Sequence, residues 1–280
     1  MKTISSGTIT EVVSRLCHQA NYYLPEDVLR ALEHAYTREE SERAREIIEQ
    51  IRENARIAAH KEMALCQDTG IAEIFVTMGS GVSVTGSTLS EAIQEGVARG
   101  YTTGFLRTSM VCDPLRRVNT GDNTPATITI DIVAGDELSI TILPKGGGTE
   151  NASVVTMMAP NTGMEGLMDC VVETVKTKGM NACPPLIIGV GVGGSFSTVA
   201  GLAKKALLRP IGSPAIDDYY ATIEKRVLSA INALGIGPMG LGGVTTALAV
   251  HIQPAPCHIA SLPVAVNMQC HCMRRLTEVI

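Results

Sequence analysis

The 280-residue chain carries 23 Lys and Arg against 28 Asp and Glu, a formal net charge of −5, with 45% hydrophobic and 18% charged residues. That balance suits a packed core and excludes a disordered or fibrous protein; with no Trp, three Phe and no Lys/Arg-rich block, it offers nucleic acid neither a basic surface nor stacking platforms. No apolar run approaches the roughly 20 residues that span a bilayer, and the N-terminus lacks the apolar stretch of a secretion signal, so the expectation is a cytoplasmic protein with no membrane segment.

The first third of the chain is helical in pattern. Pro25 suits the first turn of a helix through Tyr36. Thr37 with Glu40 reads as a capping box opening a long helix to about Met63, with an Arg- and Glu-rich solvated face. The period then changes. IAEIFVTM reads as a strand, and Thr88 with Glu91 caps a helix to about Phe105. ATITIDIV and ELSITILP alternate every second residue on either side of AGD and predict a hairpin. KGGGTEN follows, then a helix from about Met164 to Lys178 that stops at Gly179. LIIGVGV is a buried strand, two further helices run from about Ser197 to Leu208 and from about Asp217 to Leu234, and ALAVHI and LPVAVNM are late strands before CHCMRR. The expected fold is mixed α/β (α+β): one compact body over residues 1–280, helical to about residue 64, then one or two mixed sheets with packed helices.

Eight cysteines in a chain without a secretion signal read as reduced thiols. Cys17 and Cys170 fall among apolar helix residues and are assigned to packing. Cys66, Cys112, Cys183, Cys257, Cys270 and Cys272 fall in loops or at element ends, where a scaffold can aim ligands at a common point. None forms a C-x-x-C pair, so a cluster would draw its ligands from distant segments, and spacing alone selects no trio. GVGVGG matches a dinucleotide fingerprint in form but lacks the acidic residue about 20 positions on, where RPIGSP stands. In KGGGTEN the lysine precedes the glycines, unlike a Walker A loop; the three glycines either let backbone N–H groups approach an anion or make a tight turn. Arg107, Arg116, Arg117, Arg274 and Arg275 can each fork a carboxylate. His258, in an uncharged segment, is an acid, a base or a hydrogen-bonded core residue.

Taken together and in this order, CQDTG, LRTS, DPLRR with NTGDNTPA, KGGGTEN, ACPP followed by GVGVGG, and PCHIASLPVAVNMQCHCMRR resemble one family over the whole chain. They look like the catalytic alpha chain of class I fumarate hydratases and L-tartrate dehydratases, the oxygen-sensitive iron-sulfur hydro-lyases. The resemblance implies a [4Fe-4S] cluster held by Cys66, Cys183 and Cys270, with one iron open to substrate and the protein folded around that site. It gives Cys112, Cys257 and Cys272 no ligand role. It implies Gln67, Arg107 and the backbone of Gly148 as substrate contacts, with Asp68 and His258 sharing proton handling. The implied reaction is the reversible hydration of fumarate to malate, with L-tartrate dehydration as the alternative. Single-chain members continue into a C-terminal domain that supplies more arginines, a lysine and a threonine base, whereas this sequence stops at Ile280. A separate beta subunit, an alpha2beta2 assembly and an alpha chain inactive alone are therefore expected. On residues alone two other classes stay open: a zinc- or iron-stabilised assembly subunit without catalysis, and a nucleotide-binding oxidoreductase built on GVGVGG.

Overall fold

The structure, a computed structural model, describes residues 2–280 and is mixed α/β, as expected. Its helices are α1 (Ser6–Tyr22), α2 (Glu26–Arg38), α3 (Glu42–Lys61), α4 (Leu89–Thr103), α5 (Gly147–Asn151), α6 (Gly163–Lys178), α7 (Val199–Ala206) and α8 (Asp218–Asn232). The strands are β1 (Lys2–Ser5), β2 (Ile71–Gly79), β3 (Val82–Thr85), β4 (Thr127–Val133), β5 (Leu138–Lys145), β6 (Val154–Met158), β7 (Leu186–Gly194), β8 (Ala247–Cys257), β9 (Leu262–Gln269) and β10 (Leu276–Val279). The chain divides into two compact units, one of residues up to Pro25 with Ala55–Gly147 and Arg274–Ile280, the other of Glu26–Asn54 and Gly148–Met273. The helical stretch expected to end near residue 64 is thus shared between the units.

In the first unit a four-stranded sheet runs β10-β5-β2-β4, and β1 pairs with β3 as a separate parallel ribbon. The core joins Ile9, Val13 and Leu16 of α1, Ile93 and Val97 of α4, and Ile74, Val76, Ile140 and Ile142 of the sheet. Each such side chain contributes about 1.5–3 kcal/mol on full burial. The capping box of α4 forms as the sequence predicts: the Thr88 hydroxyl accepts the Glu91 N–H while Glu91 accepts that of Thr88. Helices α1 and α4 approach closely because α4 presents Gly96 and Gly100. A Cβ on Gly96 would lie 2.6 Å from Val13 Cβ, and one on Gly100 would lie 2.7 Å from Cys17 Cβ.

The expected hairpin does not form. Strands β4 and β5 flank β2, which pairs parallel with β4 and antiparallel with β5. Strand β2 is buried along most of its length and needs a neighbour on each side, whereas β4 is largely exposed and suits an edge. The AGD turn instead closes on the turn after β2, with Gly79, Ser80 and Gly81 donating to the carbonyls of Glu137, Val133 and Gly135, each at 2.8 Å. Period-2 alternation identifies a strand but not its partner.

In the second unit the sheet runs β6-β9-β7-β8, with β7 parallel to β8 and antiparallel to β9. Helices α6 and α8 cover the face carrying Ile188, Val190 and Val192, and α7 packs with Val199 and Ala203 beside Ala265 of β9. The Thr37/Glu40 capping box is also overturned. Thr37 lies in the last turn of α2, where its hydroxyl donates to Glu33 O at 3.0 Å, and α3 starts only at Glu42, behind Ser41. The chain breaks there because buried Glu39 accepts the N–H groups of Glu40 and Ser41 as well as those of Val244 and Thr245.

Candidate active site

The CQDTG loop joins α3 to β2 in the first unit, and buried donors fix its backbone. The Arg274 guanidinium, 1% exposed, donates to Asp68 O at 3.0 Å and to the Asn21 side-chain oxygen at 2.9 Å. Arg274, one of the five arginines able to fork a carboxylate, thus holds a backbone carbonyl and an amide instead. The Tyr101 hydroxyl donates to Thr69 O and Gly70 O, each at 3.0 Å, and Asn123 adds a bond to Gly70 O at 3.1 Å. Burial, the leading cause, pushes the Tyr101 phenol far above its ordinary pKa, so it stays a donor. Gly70 has φ +76°, and a Cβ there would meet the Lys145 backbone at 2.7 Å, so only glycine closes this turn.

On this frame the side chains of Cys66, Gln67 and Asp68 stand together. The Cys66 thiol lies 3.1 Å from the Gln67 amide oxygen. Asp68 accepts Gly70 N–H at 3.0 Å through one oxygen and Gly147 N–H at 2.8 Å through the other. Each oxygen keeps a lone pair for a further partner. Thr69 donates to Arg107 O at 2.9 Å, tying the LRTS segment to the loop while the Arg107 side chain remains exposed. Asn123, in the left-handed region at φ +63°, accepts Ser109 and Met110 N–H at 2.7 and 3.2 Å. CQDTG, LRTS, NTGDN and the first residues of KGGG are therefore neighbours in one unit.

The second unit gathers Gly148, Cys183 and Cys270. Strand β7 follows Cys183 and pairs Ile187 with Gln269, so Cys270 leaves β9 at the same end of the sheet. His271 Nδ1 lies 3.0 Å from Cys183 O; since a carbonyl can only accept, that nitrogen carries the proton. A Cβ on Gly148 would lie 3.2 Å from Asn181 O, and Thr149 bonds Gln269 at 3.3 Å. Gly147–Asn151 of KGGGTEN forms the short helix α5, where an anion-binding loop or a tight turn was expected. Cys183 itself has φ +54°, an unusual conformation for a side-chain-bearing residue and one concentrated at functional sites.

His258 is not brought to that corner. It follows β8, whose Cys257 lies opposite Gly194 at the far end of β7, on an exposed loop. GVGVGG also has a structural use. A Cβ on Gly189 would fall 2.1 Å from Ala203 O, and one on Gly191 would fall 2.3 Å from Val199 O, so both glycines admit the backbone of α7 where a dinucleotide would need open space. Sequence reasoning missed Tyr101, Asn123 and His271; the only signal for Tyr101 was an aromatic on the inner face of a capped helix.

Cys66 and Cys270 are half-buried, Cys183 is exposed, and all three lie at loop positions outside any disulfide, whereas Cys272 is buried, as Cys17 is. Among the described residues no three His, Cys, Asp or Glu side chains are gathered as a single metal ion requires. Each of the three offers the soft thiolate that an iron-sulfur cluster takes as ligand.

A family model described as fumarate hydratase (Fumerase) matches residues 10–279. A Methanocaldococcus jannaschii protein named "Putative L(+)-tartrate dehydratase subunit alpha" is 43% identical over 273 residues, covering 95% of each chain. The Escherichia coli protein named L(+)-tartrate dehydratase subunit alpha is 35% identical over 276 residues in strain UTI89, covering 96% of this chain and 89% of the other. In strain K12 it is 34% identical over 279 residues, covering 97% and 90%.

Proposed function

This chain belongs to the fumarate hydratase family, and on that premise we propose that it is the alpha subunit of an iron-sulfur hydro-lyase that interconverts fumarate and malate together with a separate beta subunit, as an alpha2beta2 assembly. The observation that carries this reading is the CQDTG loop, which presents Cys66, Gln67 and Asp68 in succession while buried donors hold the carbonyls of Asp68, Thr69 and Gly70. Cys66, Cys183 and Cys270 would hold a [4Fe-4S] cluster. When bound, the cluster supplies a Lewis-acid iron that eases loss of hydroxide from a 2-hydroxy dicarboxylate.

The protein's side chains do the rest. Arg107 binds a substrate carboxylate through its planar fork, and Gln67 and the Gly148 N–H fix the substrate's orientation. Dehydration removes hydroxide from one carbon and a proton from the next, with no net redox change. That proton is weakly acidic, so the cationic and N–H groups around the carboxylate must stabilise the charge that develops as it leaves. Asp68 handles the proton in this reading, since His258, expected to share that work, stands at the far end of β7. The names of the relatives favour a second reading, dehydration of L-tartrate, a substrate of the same 2-hydroxy dicarboxylate class.

Anaerobic purification with the companion chain tests the proposal. The expected product is a brown protein with about four irons and matching labile sulfide per alpha chain, active on malate or L-tartrate and inactive as alpha chain alone. Replacing Cys66, Cys183 or Cys270 by Ser should abolish iron retention, while Cys272→Ala should keep it. A colourless zinc protein overturns the reading.

A further inference from the structure

We propose that the second unit holds a binding site, apart from the cysteine corner, for a small amphipathic anion: a carboxylate or phosphate head on an apolar body. A cavity of about 590 Å³ opens between α2, α8 and the edge strand β8, and every residue that lines it belongs to that one unit. Its size falls in the range of about 300–1,000 Å³ that takes a small organic ligand, whereas close-packed interiors leave few voids larger than a water molecule. The seating of α2 does not fill it. Val28 and Leu32, the fully buried residues of that helix, lie outside the cavity, while Asp27, Arg30, Ala31, His34, Ala35 and Arg38 recur every three or four residues as one stripe along it. Alanines face the space from all three elements, Ala31 and Ala35 of α2, Ala221 of α8, and Ala247 and Ala249 of β8. Small side chains thus keep it open where leucines would close it.

The charges of the lining set the sign of the ligand. Both carboxylates are already engaged. Glu224, 6% exposed, accepts Ile252 N–H at 2.6 Å and Ala215 N–H at 3.1 Å and pairs with the Arg209 guanidinium, and Asp27 accepts Ile211 N–H at 2.6 Å. The cations are not. Arg38 and Lys225 pair with no acid among the described residues, and Arg30 meets only Glu26, at 3.7 Å in an exposed contact worth little. With Glu224 neutralised by Arg209, three cations therefore stand against the single carboxylate of Asp27. Arg30, Arg38 and Lys225 are exposed while Ala35, Ala221, Ala247 and Ala249 are buried, so the charge lies on the solvent side and the apolar wall within. A guanidinium forks a carboxylate or phosphate, and the alanine-lined interior takes the apolar body. An alkylammonium would meet like charge there, and an uncharged body would leave the cations unused.

Titration calorimetry of the full chain with its companion chain, at low ionic strength and with octanoate as the probe, tests this. One saturable site per chain is expected, with octanoate bound about tenfold or more tighter than octanol or octylammonium. Octyl phosphate assigns the head: tighter binding than octanoate marks a phosphate site, weaker binding a carboxylate site. The double variant Arg38→Gln with Lys225→Gln should lose about tenfold or more in octanoate affinity and keep its octanol affinity. Both substitutions replace exposed side chains, so that split reads the site rather than the fold. Ala31→Leu, which narrows the cavity from α2, should weaken octanoate and octanol alike. Excess malate should not displace octanoate, which separates this cavity from the substrate site. The proposal is overturned if neither octanoate nor octyl phosphate binds saturably, if octylammonium binds as well as octanoate, if the double variant binds like the wild type, or if malate competes. It does not depend on the hydro-lyase reading, and protein that converts neither malate nor L-tartrate decides it equally well.

Discussion

Replacing Tyr101 by Phe removes one oxygen atom from a fully buried position and leaves the ring packing intact. That hydroxyl serves two carbonyls, Thr69 O and Gly70 O, at 3.0 Å each. Gly70 O keeps the Asn123 amide at 3.1 Å, so the variant leaves only Thr69 O without its donor. One net hydrogen bond plus part of the desolvation of a carbonyl amounts to about 1–2 kcal/mol. For a chain of this size that corresponds to roughly 2–6 °C in melting temperature. Urea unfolding of the cluster-free chain, followed by circular dichroism, measures it. The pH dependence adds a second signature. Burial raises the folded-state phenol far above the unfolded value of about 10, so the wild type holds this stability below that pH and loses it as the unfolded chain ionises above it. Phe cannot ionise, and the gap between the two proteins should close as pH rises past about 10. Tyr22→Phe is the control: its hydroxyl donates to Gly104 O at 3.1 Å from a half-buried site where water can substitute, so its loss should cost less. A Tyr101→Phe midpoint equal to wild type, or a gap that persists at high pH, refutes the bonding ascribed to this residue.

Gly191→Ala should cost about 3 kcal/mol or more in urea unfolding, because its Cβ would sit 2.3 Å from Val199 O and push α7 off the sheet. A silent substitution would show the helix is not seated there, and NADH bound tightly by the wild type in a fluorescence titration would revive the dinucleotide reading. Glu39→Gln should lower stability by about 1–3 kcal/mol at neutral pH, since a carboxylate accepts the Val244 and Thr245 N–H groups more strongly than an amide does. Burial alone would raise the Glu39 pKa, but the N–H donors of Val244, Ser41 and Glu40 outweigh it and hold the group below its ordinary value. Its contribution is therefore complete above the unfolded value of about 4.3 and lost as pH falls through the lower folded one, so the two proteins should converge in acid. A stability difference between wild type and variant that does not change with pH would contradict this.

How far the sequence could be read depended on whether a feature is local. The Thr88 cap needs only the three residues after it, and the structure reproduces it. The Thr37 cap failed because Glu39, two residues on, bonds Val244 and Thr245, 205 and 206 positions away, and decides where the chain breaks. The alternation in ATITIDIV and ELSITILP specified strands, yet β2 lies between them because its nearly unbroken burial demands two neighbours. The glycines of GVGVGG looked like a ligand loop until α7 was seen resting on them.

By itself the sequence determined the mixed α/β class, the motif order that marks the fumarate hydratase family and, through that resemblance, which cysteines to single out. These depend on residue type and short spacing, which a linear chain states directly. Only the tertiary structure decided that Arg274 and Tyr101 hold the CQDTG backbone, that His271 ties Cys183 to the Cys270 segment, and that β7 separates His258 from both. Each of those follows from which distant segments meet, and strand register fixes that through hydrogen bonds between residues far apart along the chain.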